Sequence, residues 1–268
     1  MRDRIEILRR LYRNRVAART PDLKVEFPHQ YLYLRSELER EGIVVIKGFW
    51  KEALVEEVRA SMEAVLDAFE QEYWREVAEE CKDLKRGWGE FIPPSNIKLW
   101  CDEHMSDQRI FYAENVNESI RSFGSDMDFQ RMAQYVTQKK SELKTTLFNR
   151  TRFVTGNKGS GGGWHRDGIY GHGFKTLLYL TDVHEDNGPF EYIPRSFHWS
   201  HHLRYAKRVD QYQYSSEEIE ELLLKTTSVK VKTVTAEKGD LVIFNTNGIH
   251  RGRPIEKGVR CAITNYFT

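Results

Sequence analysis

The sequence predicts a mainly β fold with helices: a double-stranded β-helix, or jelly roll, with N-terminal helices packed on it. Three observations predict it. The second half of the chain breaks into short runs of alternating or β-branched residues, such as Leu241-Val242-Ile243-Phe244 and Ser228 to Ala236. Turn residues (Lys238-Gly239-Asp240, Asn187-Gly188-Pro189) separate those runs. The first half carries helical periodicity instead, with Leu54, Val55, Val58, Met62, Val65, Leu66 and Phe69 spaced near 3.6.

Size and composition agree with one domain. A chain of 268 residues buries a core without disulfide staples, and its three cysteines (Cys81, Cys101, Cys261) are scattered and odd in number. That pattern points to a reducing, cytoplasmic location. No apolar run is long enough to span a membrane. A net charge of +1 gives no global field calling for nucleic acid or a membrane surface. The charge is uneven: residues 1–20 hold seven Arg against Asp3 and Glu6, a local +5 that leaves about −4 for the rest.

In chain order, residues 3–19 read as an amphipathic surface helix through Ile5, Leu8, Leu11 and Tyr12. Tyr31 to Arg40 reads as a short helix stopped by Gly42, and Ile43-Val44-Val45-Ile46 as a buried strand. A long helix is expected from about Lys51 to Lys85, stopped by Gly87, Gly89, Pro93 and Pro94. Residues 86–128 are rich in aromatics (Trp88, Phe91, Trp100, Phe111, Tyr112, Phe123) without clear period. They read as an irregular cover, some of whose rings could wall a pocket. Phe129 to Lys140 reads as a helix. Strands are then expected over Thr145–Thr155, with Leu147, Asn149, Thr151 and Phe153 on one face, and over Lys175–Thr181, Pro189–Ile193, Ser228–Ala236, Leu241–Asn245 and Val259–Phe267. The expected division is a helix-rich part and cover over 1–144 and a double-stranded β-helix core over 145–268, within a single domain.

The chemistry centres on Trp164-His165-Arg166-Asp167-Gly168. On a strand, residues i and i+2 point to the same side, so His165 and Asp167 offer a nitrogen and a carboxylate oxygen to one divalent ion. His250, after the apolar run 241–244, is the candidate third ligand. Two His and one carboxylate form the facial triad of non-haem Fe(II) oxygenases and leave three positions open. Each residue alone has an ordinary structural reading; their order and spacing carry the inference. His198, His201 and His202 read as a loop, since no carboxylate or Cys stands at ligand spacing. The glycines at 156, 159 and 161–163 lack the Gly-Lys-Ser/Thr ending of a phosphate loop and read as a mobile entry to the metal strand.

These stretches resemble the phytanoyl-CoA dioxygenase family of Fe(II)/2-oxoglutarate oxygenases, which includes ectoine hydroxylase. The likeness rests on Glu41 to Phe49, on Trp164 to Asp167, on Asn187 to His198, and on Lys238 through His250 to Arg260. It spans roughly residues 40–268, with 86–145 poorly matched. The resemblance implies Fe(II), 2-oxoglutarate and O2, with His165, Asp167 and His250 as iron ligands and Arg260 gripping the distal carboxylate of 2-oxoglutarate. A planar, permanently charged guanidinium suits that carboxylate. The resemblance places Thr176 near the same carboxylate. The family often has Gln where this chain has Arg166. The implied reaction is hydroxylation or another oxidation of an unactivated C–H of a small-molecule substrate. An O2-independent cupin-like isomerase or epimerase, or a binding protein that has lost catalysis, would share the barrel. Arg150, Arg152 and Arg166 lie on or beside strands leading to the metal. They read either as a solvated strand face or as a basic pocket rim suited to an anionic substrate.

Overall fold

The computed structural model describes residues 23–68, 91–92, 96–102, 104–167, 173–198, 213–225 and 230–268. The helix expected over 3–19, the expected long helix beyond residue 68, Trp88, and His201 and His202 lie outside the described residues.

A 3₁₀ turn (His29–Tyr31) leads into α1 (Leu32–Glu41), which Gly42 caps in the left-handed conformation at φ 81°. Strand β1 (Ile43–Ile46) follows as expected, and then α2 (Glu52–Asp67). Residues 86–128 correct the expectation. Their described part is regular: β2 (Phe91–Ile92), β3 (Ile97–Cys101), β4 (Asp107–Phe111), a 3₁₀ turn (Ala113–Asn115) and α3 (Glu118–Gly124). The helix α4 (Met127–Thr137) is N-capped by Asp126, whose side chain accepts from the Asp128 N–H. The remaining elements are β5 (Leu143–Arg152), β6 (Phe174–Tyr179), β7 (Phe190–Tyr192), α5 (Ser216–Lys225), β8 (Lys232–Val234), β9 (Leu241–Asn245), β10 (His250–Gly252) and β11 (Val259–Phe267).

Two antiparallel sheets form the jelly roll. The large one has eight strands in the order β1-β9-β6-β11-β5-β4-β3-β2, and the small one runs β10-β7-β8. Strands β1 to β4 precede residue 145 yet belong to the large sheet, so that sheet draws on both halves of the chain. Alternation along its strands sorts the side chains onto two faces. On the outer face Phe148, Leu178, Ile243 and Ile263 join one apolar cluster with Leu38 of α1, Val58 and Met62 of α2, and Phe129 and Met132 of α4. Tyr179, Val242, Phe244 and Ala262 belong to a second cluster, with Phe190 and Tyr192 of the small sheet. A third gathers Ile219 and Leu222 of α5 around Trp164, Ile193 and Ile249.

Candidate metal centre

The small sheet is extended at the level of its first strand. His165 forms an antiparallel bridge to His250, with reciprocal backbone hydrogen bonds of 2.9 Å. Residues directly opposite in an antiparallel pair project to the same face, and the two rings lie 4.4 Å apart, centre to centre. Asp167, two residues beyond His165, projects to that face as well. Its backbone is pinned by N–H donation to Thr246 O at 3.2 Å. The backbone therefore assembles the three side chains from a cross-strand pair and an i, i+2 step.

His165 Nε2 lies 3.6 Å from Asp167 Oδ1, and His250 Nε2 lies 3.8 Å from the same oxygen. One ligand atom from each of the three residues falls within 4.8 Å of the others. Both imidazoles are set by their other nitrogen: Nδ1 of His165 meets Gly163 O, and Nδ1 of His250 meets Gly248 O, each at 2.8 Å. A carbonyl can only accept, so Nδ1 carries the proton and Nε2 presents its lone pair to the shared face. Burial holds the His250 pKa down to about 3, so this ring is neutral at physiological pH, the form a metal requires. Burial alone would raise the Asp167 pKa. The Lys175 ammonium, 2.6 Å from Oδ2, and the two imidazoles hold it well below the usual carboxylate range. Gly161 (φ 87°) fits tightly here, because a Cβ would come within 2.3 Å of the His165 ring.

The triad opens into a cavity of about 200 Å³ between the sheets. Arg260, Ala262, Thr264 and Tyr266 of β11 line it together with Leu147 and Asn149 of β5, Lys175 and Leu177 of β6, and Arg109 of β4. Arg260 donates through Nη1 to Gly188 O and through Nη2 to Thr151 Oγ1 at 3.2 Å, while its Nε is buried without an acceptor. No carboxylate among the described residues pairs with it. Arg109 stacks 4.4 Å from the Trp100 ring, pairs with Asp107 and reaches Ser160 Oγ at 3.4 Å.

His165, Asp167, His250 and Arg260 are thus brought to one cavity, and two other sequence expectations are corrected. Thr176 lies between two cavity-lining residues, Lys175 and Leu177, so strand alternation sends it to the outer face. There it is fully buried with no hydrogen-bond partner. Thr151 is the hydroxyl that meets Arg260. Arg150 and Arg152 also face outward: both donate to Gln108 Oε1, and Arg150 Nη1 meets Asp67 Oδ1 at 2.7 Å. They form no pocket rim. Arg166 turns away from the triad and ties Tyr214 Oη (2.9 Å), Ser196 O (2.7 Å) and Asn247 O together. Sequence reasoning missed Arg109 and Lys175. For Lys175 the available signal was a cation inside a mostly apolar strand, at period two from Leu177; Arg109 sits in a polar strand and carried no such signal.

The donor set fits a divalent first-row metal: two imidazole nitrogens and one carboxylate oxygen converge on one face. The buried Arg260, without a carboxylate, fits a dianionic ligand in the same cavity. The fold has close counterparts among solved structures. The epimerase SnoN, solved with Fe3+, alpha ketoglutarate and nogalamycin RO, superposes with a TM-score of 0.59 at 14% identity, covering 90% of this chain and 84% of its own. EctD from S. alaskensis gives 0.59 at 15% identity, covering 93% and 81%. The carbocyclase SnoK from nogalamycin biosynthesis, described as non-heme and alpha ketoglutarate dependent, gives 0.54 at 15% identity, covering 88% and 83%. At such identities the likeness is one of fold. Among curated proteins no sequence match is found. The family model for phytanoyl-CoA dioxygenase matches residues 38–257, ending just short of Arg260. That match spans most of the sequence, and the chain belongs to the phytanoyl-CoA dioxygenase family, whose enzymes use Fe(II), 2-oxoglutarate and O2.

Proposed function

We propose that this chain is an Fe(II)/2-oxoglutarate-dependent dioxygenase that oxidises an unactivated C–H of a small-molecule metabolite, most simply by hydroxylation, and releases succinate and CO2. The observation that carries the reading is the shared cavity: the convergent Nε2, Nε2 and Oδ1 atoms and an Arg260 with no counter-charge both line it. When bound, iron with 2-oxoglutarate and O2 supplies the oxidising power. The chain's own work is positional. His165, His250 and Asp167 hold the metal from one side, and the Gly163 and Gly248 carbonyls keep the rings aimed. Arg260, steadied by Thr151, takes the distal carboxylate of the co-substrate. Leu147, Leu177, Phe190 and Phe244 give the cavity an apolar wall that excludes water and confines the substrate.

The buried Arg260, with neutral acceptors only, suits the distal carboxylate of a dianionic co-substrate, and that favours the oxygenase over an O2-independent isomerase. SnoN is described as an epimerase and SnoK as a carbocyclase. An epimerisation leaves the mass of its substrate unchanged, so products of unchanged mass belong in the search. A substrate bearing a carboxylate or phosphate meets Arg109 and Lys175 in the cavity, in place of the arginines of β5. A cytoplasmic site of action is part of the same proposal. It is supported by Cys261, which is buried and takes part in no disulfide. Among the described residues no helix is long and apolar enough to cross a membrane. The test is Fe(II)-dependent succinate release in air against a metabolite panel, with product mass spectrometry. Stimulated turnover with a mass gain of one oxygen is expected. Metal-independent turnover, or none with iron and 2-oxoglutarate bound, contradicts the reading.

A further inference from the structure

Lys175 lines the cavity, and the account so far gives it no task toward the metal. It pairs in register with Tyr266 of β11 and Phe244 of β9, on the inner face of the large sheet. Its side chain is 12% exposed, its ammonium lies 2.6 Å from Asp167 Oδ2, and it sits 4.1 Å from the centre of the Tyr266 ring. The Asp167 carboxylate is thereby divided: Oδ1 faces the two imidazoles and Oδ2 faces Lys175.

This partner differs in kind from those of the histidines. A carbonyl behind each imidazole leaves the ligand nitrogen more basic and favours a metal. An ammonium behind a carboxylate withdraws negative charge from the oxygen that would bind. A divalent ion on Oδ1 would also stand near a like charge in a poorly solvated place, where Coulomb repulsion is strong. Conversely, the Lys175 ammonium, mostly buried, is costly without its carboxylate, and loss of Lys175 takes from the partly exposed Asp167 its nearest cation.

We propose that Lys175 is a built-in counter-cation of Asp167. It keeps the three-residue site assembled when no metal is present, and it competes with the metal for the same carboxylate. The affinity for a divalent ion is set below what the three ligands alone would give. The inference rests on reading His165, Asp167 and His250 as metal ligands. It has a consequence for order of binding: the dianionic co-substrate offsets the charge that metal and ammonium bring together. Metal and 2-oxoglutarate therefore strengthen one another's binding, and by linkage the effect is reciprocal. Lys175 is accordingly a positioning residue that acts through Asp167.

The experiment is a calorimetric Co(II) titration of the full chain without 2-oxoglutarate, comparing wild type with Lys175→Gln, Lys175→Met and Lys175→Arg. The two neutral variants should bind Co(II) tighter by about 10-fold or more, and the arginine variant should stay within about threefold of wild type. Metal-free neutral variants should melt below wild type, so the rise in Tm on adding Co(II) should widen. Equal or weaker Co(II) binding by folded neutral variants overturns the proposal. So does failure of both to fold even with Co(II) present, which would make Lys175 structural only. A wild type that binds no Co(II) removes the ligand assignment itself, a separate failure.

Discussion

Arg150 and Arg260 lie on neighbouring strands of one sheet and are buried alike, at 6% and 5% exposure. Their surroundings are opposite. Arg150 points to the outer face, where Gln108 accepts two of its N–H groups and Asp67 of α2 supplies a carboxylate. Arg260 points into the cavity, donates to two neutral oxygens and leaves Nε without an acceptor. A buried charge without a counter-charge is costly to a fold. On the outer face the chain gives Arg150 both its acceptors and its counter-charge. On the inner face Arg260 has neutral acceptors only, as the proposed binding of a dianionic co-substrate requires. Thr176 and Thr151 reverse the pattern for hydroxyls: both are buried, but Thr176 has no partner on the outer face and Thr151 accepts from Arg260 on the inner one.

The largest effect should come from the inner face. His165→Ala, Asp167→Ala and His250→Ala should each lose most of the bound Fe(II), measured against one equivalent per wild-type chain. Full occupancy in any two of them would break the ligand set. Asp167→Ala should also cost stability, about 1–3 kcal/mol, because it leaves the mostly buried Lys175 ammonium without its carboxylate. Urea titrations of the metal-free variants should therefore rank Asp167→Ala below His165→Ala. Next, Arg260→Ala should raise the 2-oxoglutarate KM by roughly 10- to 1,000-fold, the equivalent of about 2–4 kcal/mol, with metal binding retained. Arg150→Ala should leave that KM unchanged and lower stability by about 1–3 kcal/mol. Equal KM effects from the two arginines would erase the distinction between the faces.

A pH effect sharpens the comparison further. Burial depresses the His250 pKa to about 3, against about 6.5 for an unfolded chain. Between those values the unfolded state binds the extra proton, so stability of the metal-free protein falls as pH drops from about 6.5 towards 3, by up to about 1.4 kcal/mol per unit. The depressed pKa of Asp167 adds to the loss below the ordinary carboxylate range, about 3.9. Denaturation of His250→Gln should show a shallower slope between pH 6.5 and 4.5, and an unchanged slope would place the titration elsewhere. The smallest pair is Thr151→Val against Thr176→Val. The first should raise the 2-oxoglutarate KM several-fold, for the loss of about 0.5–1.5 kcal/mol. The second, which removes an unpartnered hydroxyl, should leave KM alone and not lower Tm.

Much of this was legible in the sequence. Strands β1, β9 and β11 were delimited by β-branched or apolar runs closed by Gly and Asp. The triad was readable because i, i+2 spacing on a strand survives any uncertainty about register. What failed shares one cause: face assignments depend on parity and on what covers the sheet. Thr176 is one residue from the inner face, and a shift of one residue inverts a strand's sides. Arg150 and Arg152 do point away from the cavity face, but helix α2 covers that side and supplies Asp67. Strands β3 and β4 were missed because Lys98, Trp100, Asp107 and Arg109 dilute the apolar alternation, and a buried Asp107–Arg109 pair reads as surface charge. Helix α5 did carry a signal. Ser215 and Glu218 form a reciprocal capping box, with bonds of 2.9 and 3.2 Å, ahead of Ile219 and Leu222.

The central claim is that one cavity holds both a metal on three protein ligands and 2-oxoglutarate on Arg260. Its most direct test is an anaerobic titration of Fe(II)-loaded protein with 2-oxoglutarate, followed by visible absorption. The account predicts a weak charge-transfer band in wild type that saturates with co-substrate, needs far more of it in Arg260→Ala, and does not form in His250→Ala. A wild-type protein that binds Fe(II) yet develops no band at saturating 2-oxoglutarate, or an Arg260→Ala variant that titrates like wild type, would contradict it.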